Sequence, residues 1–208
     1  MPQCETGDMT KLRSICVYCG SSNGTRPDYV AGAERLGRDM AEGGIRLVYG
    51  GGNVGLMGTV ARAVIENGGQ VTGIIPTFLQ RRERMLTEVE ELIVTKDMHE
   101  RKRLMFERAD AFVALPGGVG TLEELVEQLT WAQLGQHKKP ILLVNIDGFW
   151  TRFLDILDHM REEGFIRPET AVEVLVANTP EEVVPMVKAA IEKISRAEMA
   201  MSVAPETL

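Results

Sequence analysis

The sequence predicts an α/β protein with a Rossmann-like, doubly wound parallel sheet and helices on both of its faces. Short β-branched apolar runs alternate with longer helical patterns along the 208 residues, which is typical of a parallel sheet. Individual runs, such as Ala111–Leu115, are apolar throughout, as strands buried on both faces are. The chain shows neither a linker nor an internal repeat, so we expect a single domain over residues 1–208.

Seven strands and six helices are expected in alternation. The strands are predicted at Ser14–Tyr18, Ile45–Tyr49, Gln70–Ile75, Glu91–Val94, Ala111–Leu115, Ile141–Asn145 and Val172–Val176. The helices are predicted at Pro27–Glu42, in the segment that ends at Asn67, at Met98–Ala109, Thr121–Gln133 and Phe149–Glu163, and after Thr179. Gly43-Gly44 is a helix stop, and Thr179-Pro180 supplies a cap and a first-turn proline. The tails, Met1–Lys11 and about Ser195–Leu208, are expected to be loose.

Charge and composition narrow the class of partner. The formal net charge of −7 repels a polyanion on average, so no binding to nucleic acid is expected. A small anionic substrate is compatible with that charge, because a local cluster of Arg and Lys outweighs the mean field. The amino-terminal residues do not resemble a secretory signal, and no apolar stretch is long enough to span a membrane, so no membrane association is expected.

The three cysteines, Cys4, Cys16 and Cys19, give no paired disulfide framework. Cys16-x-x-Cys19 could form a redox pair or half of a zinc site. The sequence has no second cysteine pair and only three histidines, so it lacks a recognisable four-ligand zinc set and we predict no metal. Cys16 lies in an apolar run, which favours a buried role in the core, and reduced thiols indicate the cytoplasm.

A glycine-rich loop, Gly50–Gly58, follows the second predicted strand and precedes a helix. Its G-x-G-x-x-G spacing lets backbone N–H groups approach a phosphate beside a helix N-terminus. The next strand lacks the terminal acidic residue of a dinucleotide site, and no Gly-Lys-Ser/Thr follows, so neither NAD nor a Walker A loop is expected. The glycines exceed what a tight turn needs, which favours contact with a phosphate or sugar over a purely structural turn.

A second loop of this kind, Pro116–Thr121, follows the fifth predicted strand and leads to Glu123 and Glu124. It is again suited to an anion at a helix N-terminus. Thr121 and Glu124 also have the spacing of a helix capping box, which is the purely structural alternative for Glu124. Capping explains one carboxylate, but it does not explain two consecutive acids beside an anion-binding loop.

The segment Asp97–Arg103, which starts the helix before this second loop, contains three basic residues, Arg101, Lys102 and Arg103. Because the helix runs antiparallel to the strand that it precedes, its N-terminus lies at the same edge of the sheet as the Pro116–Thr121 loop. Cations at a helix N-terminus oppose the macrodipole. We therefore expect an anionic partner for Arg101 and Lys102, whereas a solvent-exposed position suffices to explain Arg103.

Together these motifs resemble the LOG family of cytokinin riboside 5′-monophosphate phosphoribohydrolases, which often carry the label lysine decarboxylase. The resemblance rests on Cys19-Gly20-Ser21-Ser22, Gly50-Gly51-Gly52, Met98-His99-x-Arg101-Lys102 and Pro116-Gly117-Gly118-x-Gly120-Thr121-x-x-Glu124. It extends from about Ile15 to about Ile166, with the motifs in order and at compatible spacing. Decarboxylation would need a pyridoxal Schiff-base lysine in a much larger fold, which nothing in the sequence indicates.

The resemblance implies a Rossmann-like fold, a homodimer, an active site without metal or cofactor, and a nucleoside 5′-monophosphate as substrate. Arg101 and Glu124 match the family's catalytic pair. The positions expected to contact the substrate are Gly20, Ser21, Gly51, Gly52, Glu83, Met98, Lys102, Gly117, Gly118, Val119, Gly120, Thr121, Glu123 and Thr130.

The implied activity is hydrolysis of the N-glycosidic bond of adenosine 5′-monophosphate, N6-modified or not, to free base and ribose 5-phosphate. Glu124 would stabilise an oxocarbenium-like state or activate water, and Arg101 would stabilise negative charge at the phosphate or the departing base. Two alternatives stay open. A nucleotide sensor or carrier without catalysis would not need the Arg101–Glu124 pair, and a broader nucleosidase would also accept pyrimidine nucleotides.

Overall fold

The computed structural model describes residues 12–80 and 89–203, with side chains through Met199. In that part of the chain, seven strands form one sheet and six α-helices cover it. The strands are β1 (Ser14–Tyr18), β2 (Arg46–Tyr49), β3 (Val71–Pro76), β4 (Glu91–Thr95), β5 (Ala111–Ala114), β6 (Ile141–Val144) and β7 (Val174–Ala177). The helices are α1 (Pro27–Glu42), α2 (Gly55–Glu66), α3 (Met98–Glu107), α4 (Val119–Gln133), α5 (Thr151–Glu162) and α6 (Val183–Val203).

The strand order is β4-β3-β2-β1-β5-β6-β7, and every neighbouring pair is parallel. The chain builds outward from β1 to β4 and then returns to the other side of β1, where it forms β5. The direction of the strand order therefore reverses between β1 and β5. In open α/β sheets, ligands bind outside the carboxyl ends of the strands at such a reversal. The predicted fold class is confirmed.

Side chains of β1 alternate between two cores, one on each face of the sheet. Ile15 and Val17 pack in a core with residues of α1, α2 and α6. Cys16 and Tyr18 pack in a second core with residues of α3, α4 and α5. Both faces of the central strands are thus covered, which is why the strand sequences are apolar without polar alternation.

The two cysteines of the C-x-x-C pattern belong to opposite faces. Cys16 is in the core beneath α3 and α4, and Cys19 is in the core beneath α1 and α2. Both are buried. Side chains on opposite faces of a strand cannot share a disulfide or a metal ion, so the predicted core role of Cys16 is confirmed. Cys4 lies outside the described residues.

Several element boundaries differ by one or two residues from the sequence-based expectation, among them the start of α4, and the end of α6 differs by more. Helix α4 begins at Val119, because Gly118 and not Thr121 is its N-cap. Helix α6 continues to Val203, through the segment from Ser195 that was expected to be loose, and Ser195 itself is buried. Neither glycine nor proline interrupts that segment, so the helical hydrogen bonds can continue. Met1–Lys11 lies outside the described residues.

Thr179 caps the turn that leads into α6, as predicted. Its side chain and that of Glu182 form a capping box, with Pro180 in the first turn. No helix within residues 12–80 and 89–203 is both long and apolar enough to cross a lipid bilayer.

Candidate active site

Three loops meet at the carboxyl ends of β1, β2 and β5, where the strand order reverses. The backbone N–H of Gly20, after β1, donates to the carbonyl of Pro116, after β5, at 3.1 Å. The carbonyl of Gly20 accepts from the N–H of Met57 at 3.3 Å. The β1 loop is therefore hydrogen-bonded on one side to the β5 loop and on the other to the first turn of α2.

Glycines allow these backbones to approach one another. Gly55, the first residue of α2, has a φ of 61°, and a Cβ there would lie 2.3 Å from the carbonyl carbon of Ser21. Gly51 has a φ of 77°, and its Cβ would lie 3.0 Å from that of Ile75. Only glycine takes up both the positive φ and the close contact without strain. The loop thus has a structural need for these two glycines, in addition to any contact with a ligand.

Helices α2 and α4 both point their N-termini at this edge. The N-cap residues are Val54 and Gly118, neither gives a side-chain cap, and neither helix has an acidic residue in its first turn. The first N–H groups of a helix lack intrahelical partners, and they carry the positive end of the helix dipole. Two such ends at one crevice suit an anionic group such as a phosphate.

The expected catalytic pair is in direct contact. Nη1 of Arg101, on α3, lies 3.3 Å from Oε1 of Glu124, on α4. Both residues are buried, with 6% and 8% of their surface exposed. The capping-box alternative for Glu124 is wrong, because α4 begins two residues before Thr121 and the Glu124 carboxylate faces Arg101.

Further contacts fix the guanidinium of Arg101. Its Nε donates to the carbonyl of Ile74 on β3 at 3.2 Å, and its Nη1 lies 3.8 Å from the sulfur of Met98. A Cβ on Gly50 would lie 2.3 Å from Nη2 of Arg101, so the glycine leaves room for the side chain. Arg101 therefore joins β3, α3 and α4 at one point, which only a planar group with several donors can do.

A second set of ion pairs lies one residue further along α3. Nζ of Lys102 is 2.7 Å from Oε1 of Glu123 and 2.8 Å from Oε1 of Glu127. Partial burial acts to lower the pKa of Lys102, but the hydrogen bonds from the two carboxylates outweigh it and raise the pKa. The anionic partners expected for the basic residues of α3 are thus carboxylates of α4. Arg103 pairs with Glu107 at the surface, as its predicted exposed position requires.

Asp97, which sequence reasoning passed over, is the N-cap of α3. Its carboxylate accepts from the N–H of Glu100 at 2.8 Å, and this hydrogen bond lowers the pKa of Asp97. The sequence signal was available, since an Asp immediately before a helix is a preferred cap. By fixing the first turn of α3, Asp97 sets the position from which Arg101 reaches Glu124.

The structure brings most of the expected substrate-contacting positions to one edge of the sheet. These are Gly20, Ser21, Gly51, Gly52, Met98, Lys102, Gly117, Gly118, Val119, Gly120, Thr121 and Glu123. Thr130 is exposed, and its hydroxyl donates to the carbonyl of Val126 within α4. It lies six residues beyond Glu124, or about 9 Å along the helix. Within a single chain, Thr130 is therefore not next to the Arg101–Glu124 pair. Glu83 lies outside the described residues.

Within the described ranges, no three His, Cys, Asp or Glu side chains are placed to hold a metal ion. The chemistry that the site can offer from its own residues is a carboxylate, a guanidinium, an ammonium group and two helix N-termini.

Comparisons with known proteins bear on the same residues. A family model described as "Possible lysine decarboxylase" matches residues 57–187. The chain is 50% identical over 175 residues to the cytokinin riboside 5′-monophosphate phosphoribohydrolase LOG of Oryza sativa subsp. japonica, covering 84% of this chain and 72% of that protein. It is also 50% identical over 173 residues to the cytokinin riboside 5′-monophosphate phosphoribohydrolase LOG3 of Arabidopsis thaliana, with coverage of 83% and 80%.

Solved structures agree on the fold. The molybdenum cofactor binding protein from Rippkaea orientalis superposes with a TM-score of 0.65 at 25% identity, covering 87% of this chain and 98% of that one. The relatives at 50% identity, in contrast, are alike over most of both sequences. The chain belongs to the LOG family of cytokinin riboside 5′-monophosphate phosphoribohydrolases.

Proposed function

We propose that this chain hydrolyses the N-glycosidic bond of adenosine 5′-monophosphate or an N6-modified form of it, and releases the free base and ribose 5-phosphate. The observation that carries the proposal is the buried contact between Arg101 and Glu124 at the reversal of strand order, between two helix N-termini without side-chain caps. The relatives that are 50% identical are named for this reaction on cytokinin nucleotides.

The substrate's 5′-phosphate would lie against the glycine loops. Backbone N–H groups at the start of α2 and α4 would donate to it, with Gly51 and Gly52 on one side and Gly117 to Thr121 on the other. Holding the phosphate orients the ribose before the bond breaks. Binding energy from a part of the substrate that does not react is then used to align the part that does.

Glu124 would act on the ribose. Cleavage of an N-glycosidic bond passes through a state with positive charge on the sugar, which a carboxylate beside the anomeric carbon stabilises. The same carboxylate could instead remove a proton from the attacking water. Both roles require an ionised Glu124, whose Oε1 lies 3.3 Å from Nη1 of Arg101.

Arg101 would stabilise negative charge on the substrate, at the phosphate or on the departing base. Its Nε is already used by the carbonyl of Ile74 and its Nη1 by Glu124, which leaves further N–H donors on Nη2 for the substrate. We also propose contacts from Met98, Lys102, Glu123, Val119, Gly20, Ser21, Glu83 and Thr130.

A homodimer is the proposed assembly, in support of which two helices expose apolar faces. Val119, Leu122 and Val126 form an exposed stripe on α4. Helix α5 buries none of its residues fully and exposes Ile156 and Met160. A second copy of the chain would cover these faces. Light scattering after size-exclusion chromatography should give twice the chain mass, and Ile156→Glu should shift it towards the monomer; a monomeric wild-type protein would rule out the dimer.

The central test is release of base. The purified protein is incubated with AMP, with N6-isopentenyl-AMP and with adenosine, and the free base is followed by chromatography. We expect release from one or both nucleotides, with adenosine slower by about a hundredfold or more because it lacks the phosphate. Equal rates for AMP and adenosine would contradict the role given to the glycine loops. Including CMP tests the broader nucleosidase that also accepts pyrimidines.

A nucleotide carrier or sensor is the second candidate, because the fold also occurs in a protein described as a molybdenum cofactor binding protein. The molybdenum cofactor binding protein is 25% identical to this chain, whereas the hydrolases are 50% identical. We therefore rank the carrier or sensor function second. Calorimetry with AMP separates the two. Tight binding without release of adenine would support the carrier. Under either function we propose a cytoplasmic location, in keeping with the buried free thiol of Cys16.

A further inference from the structure

Gln128 is a buried polar residue that the proposed reaction does not yet use. It lies on the inner face of α4, one turn after Glu124, and only 1% of its surface is exposed. Neither Nε2 nor Oε1 of its amide has a hydrogen-bond partner among the described protein groups. Buried amides in folded proteins are hydrogen-bonded as a rule. Its burial beside the Arg101–Glu124 pair therefore calls for an explanation.

Helix geometry directs this amide towards Glu124. Residues four apart share one face of a helix, and side chains lean towards the N-terminus of the helix. The amide of Gln128 therefore extends along α4 in the direction of Glu124. The contact of Gln128 with Nε2 of His137 at 3.2 Å involves only its backbone carbonyl.

Other polar atoms surround the same place. Oε2 of Glu127 is buried and has no partner among the described protein groups. The phenol of Tyr18 lies beneath α4 on β1; burial raises its pKa, and the nearby charges of Glu124 and Glu127 raise it further. A buried water molecule makes two to four hydrogen bonds to such atoms. The layer between β1 and α4 thus has the polar groups that a water molecule needs.

We propose that a buried water molecule bridges the Gln128 amide to the Glu124 carboxylate, and that Gln128 is a positioning residue for the hydrolysis. The inference about catalysis rests on the proposed function. The amide of Gln128 positions the Glu124 carboxylate through the water molecule, and Arg101 positions it through the direct ion pair from α3. Small displacements of a reacting group have large effects on rate, so both supports matter to turnover.

The bridge also affects the protonation of Glu124. A hydrogen bond donated to a carboxylate favours its ionised form. Among the described residues, Arg101 from α3, and Tyr18 and Cys16 from β1, also lie near Glu124. Burial raises the pKa of both Tyr18 and Cys16, so these two stay neutral at acid and neutral pH. Glu123 and Glu127, both paired with Lys102, are further carboxylates nearby. The acidic limb of the pH–rate profile should therefore respond when the bridge is lost.

The test replaces the amide by an apolar group of similar size. Gln128→Leu should lower kcat about tenfold, leave KM within about twofold, and move the acidic limb of the pH–rate profile to higher pH. Gln133→Leu makes the same chemical change on the same helix, about 13 Å beyond Glu124, and should leave all three unchanged. Circular dichroism and thermal unfolding show whether both variants are folded.

Two results would overturn the proposal. One is a folded Gln128→Leu protein with the kcat and acidic limb of the wild type. The other is a high-resolution crystal structure in which no water lies within hydrogen-bonding distance of both Gln128 and Glu124. If the wild-type protein releases no base from AMP or N6-isopentenyl-AMP, the proposed function fails instead. The crystal structure then still decides, independently, whether the bridge exists.

Discussion

Glu124 and Arg101 form an ion pair across two helices, at 3.3 Å, although each residue is more than nine-tenths buried. Taking both charges out of water is costly, and replacing such a pair by apolar residues is often neutral or stabilising. A pair at this position, between two helix N-termini, is better explained by chemistry than by stability. The predictions below separate the two contributions.

Replacing the carboxylate removes the charge that the reaction needs. We expect Glu124→Gln to lower kcat by on the order of a hundredfold or more, because an amide neither stabilises an oxocarbenium ion nor takes up a proton. Steady-state rates of base release measure the loss. The matched control is Glu107→Gln, which removes a surface carboxylate paired with Arg103 on α3 and should leave kcat unaltered. A folded Glu124→Gln enzyme with full turnover would disprove the assignment.

The guanidinium of Arg101 should not be replaceable by an ammonium group. Lysine keeps the charge but cannot reach both the carbonyl of Ile74 and the carboxylate of Glu124. Arg101→Lys should therefore lower kcat/KM by roughly tenfold or more. It should also reduce the free energy of unfolding by about 1–3 kcal/mol, because a buried carbonyl loses its donor.

Arg103→Lys is the control for this change, since Arg103 is two residues along the same helix and forms an exposed pair. Surface substitutions of this kind change the free energy of unfolding by no more than about 0.5 kcal/mol. Urea unfolding and rates of base release are compared for both variants. If both variants had the same unfolding free energy and the same rate of base release, the several N–H donors of the Arg101 guanidinium would have no special role.

The two glycines that flank the start of α4 should respond in opposite directions to alanine. A Cβ on Gly117 would lie 2.2 Å from Oγ1 and 2.6 Å from Cβ of Thr121. Thr121 is buried, so α4 would have to move, and Gly117→Ala should cost about 1–3 kcal/mol of unfolding free energy. Gly120 has no atom within 4 Å of its Cβ position. Because alanine is the better helix former, Gly120→Ala should stabilise by about 0.5–1 kcal/mol.

Chemical denaturation of the two variants measures this difference directly. A stable Gly117→Ala protein would mean that the turn between β5 and α4 adjusts easily. Rates of base release add a second comparison, because Gly120→Ala keeps the backbone N–H groups that the proposed phosphate contacts use. Loss of activity in a stabilised Gly120→Ala protein would indicate that the substrate passes close to that Cβ position.

The fold was predictable because its signals are local. Runs such as Ala111–Leu115 and turns such as Gly43-Gly44 identify strands and helix ends without knowledge of the rest of the chain. The pairing of Arg101 with Glu124 was not local. It depended on the antiparallel course of α3, which placed the two residues at one edge, and on family resemblance. No sequence pattern gave the distance between them.

Where sequence reasoning failed, a competing local pattern was misleading. Thr121 and Glu124 have capping-box spacing, but Gly118 begins α4 earlier and turns Glu124 towards Arg101. The partners of Lys102 could not be predicted from the sequence either, because Glu123 and Glu127 contact it only through the packing of α3 on α4. Gln128 could have been found, since its spacing from Glu124 places both on one face.

His137 should make the protein less stable at mildly acidic pH. Its Nδ1 accepts from the N–H of Lys139 at 3.1 Å, so Nε2 carries the proton and donates to the carbonyl of Gln128 at 3.2 Å. Protonation of Nδ1 would break the first of these bonds. Burial lowers the pKa of His137, and the charge of Lys139 lowers it further, against the raising effect of the Gln128 carbonyl.

The sign of the pH dependence follows from that lowered pKa. The ordinary pKa of histidine is about 6.5. As the pH falls below that value, His137 becomes protonated in the unfolded chain but stays neutral in the folded protein. The free energy of unfolding therefore falls from about pH 6.5 downward, until the folded protein also binds the proton. Above that range, His137 is neutral in both states and has no effect on the slope.

His137→Gln should make this part of the pH dependence disappear. Urea unfolding at several pH values between about 7.5 and 5 should show a shallower decline for the variant, by up to about one proton taken up on unfolding. His159→Gln removes an exposed histidine from α5 and should keep the wild-type slope. If His137→Gln and wild type declined in parallel, the neutral imidazole beneath α4 would not be the group that limits stability in acid.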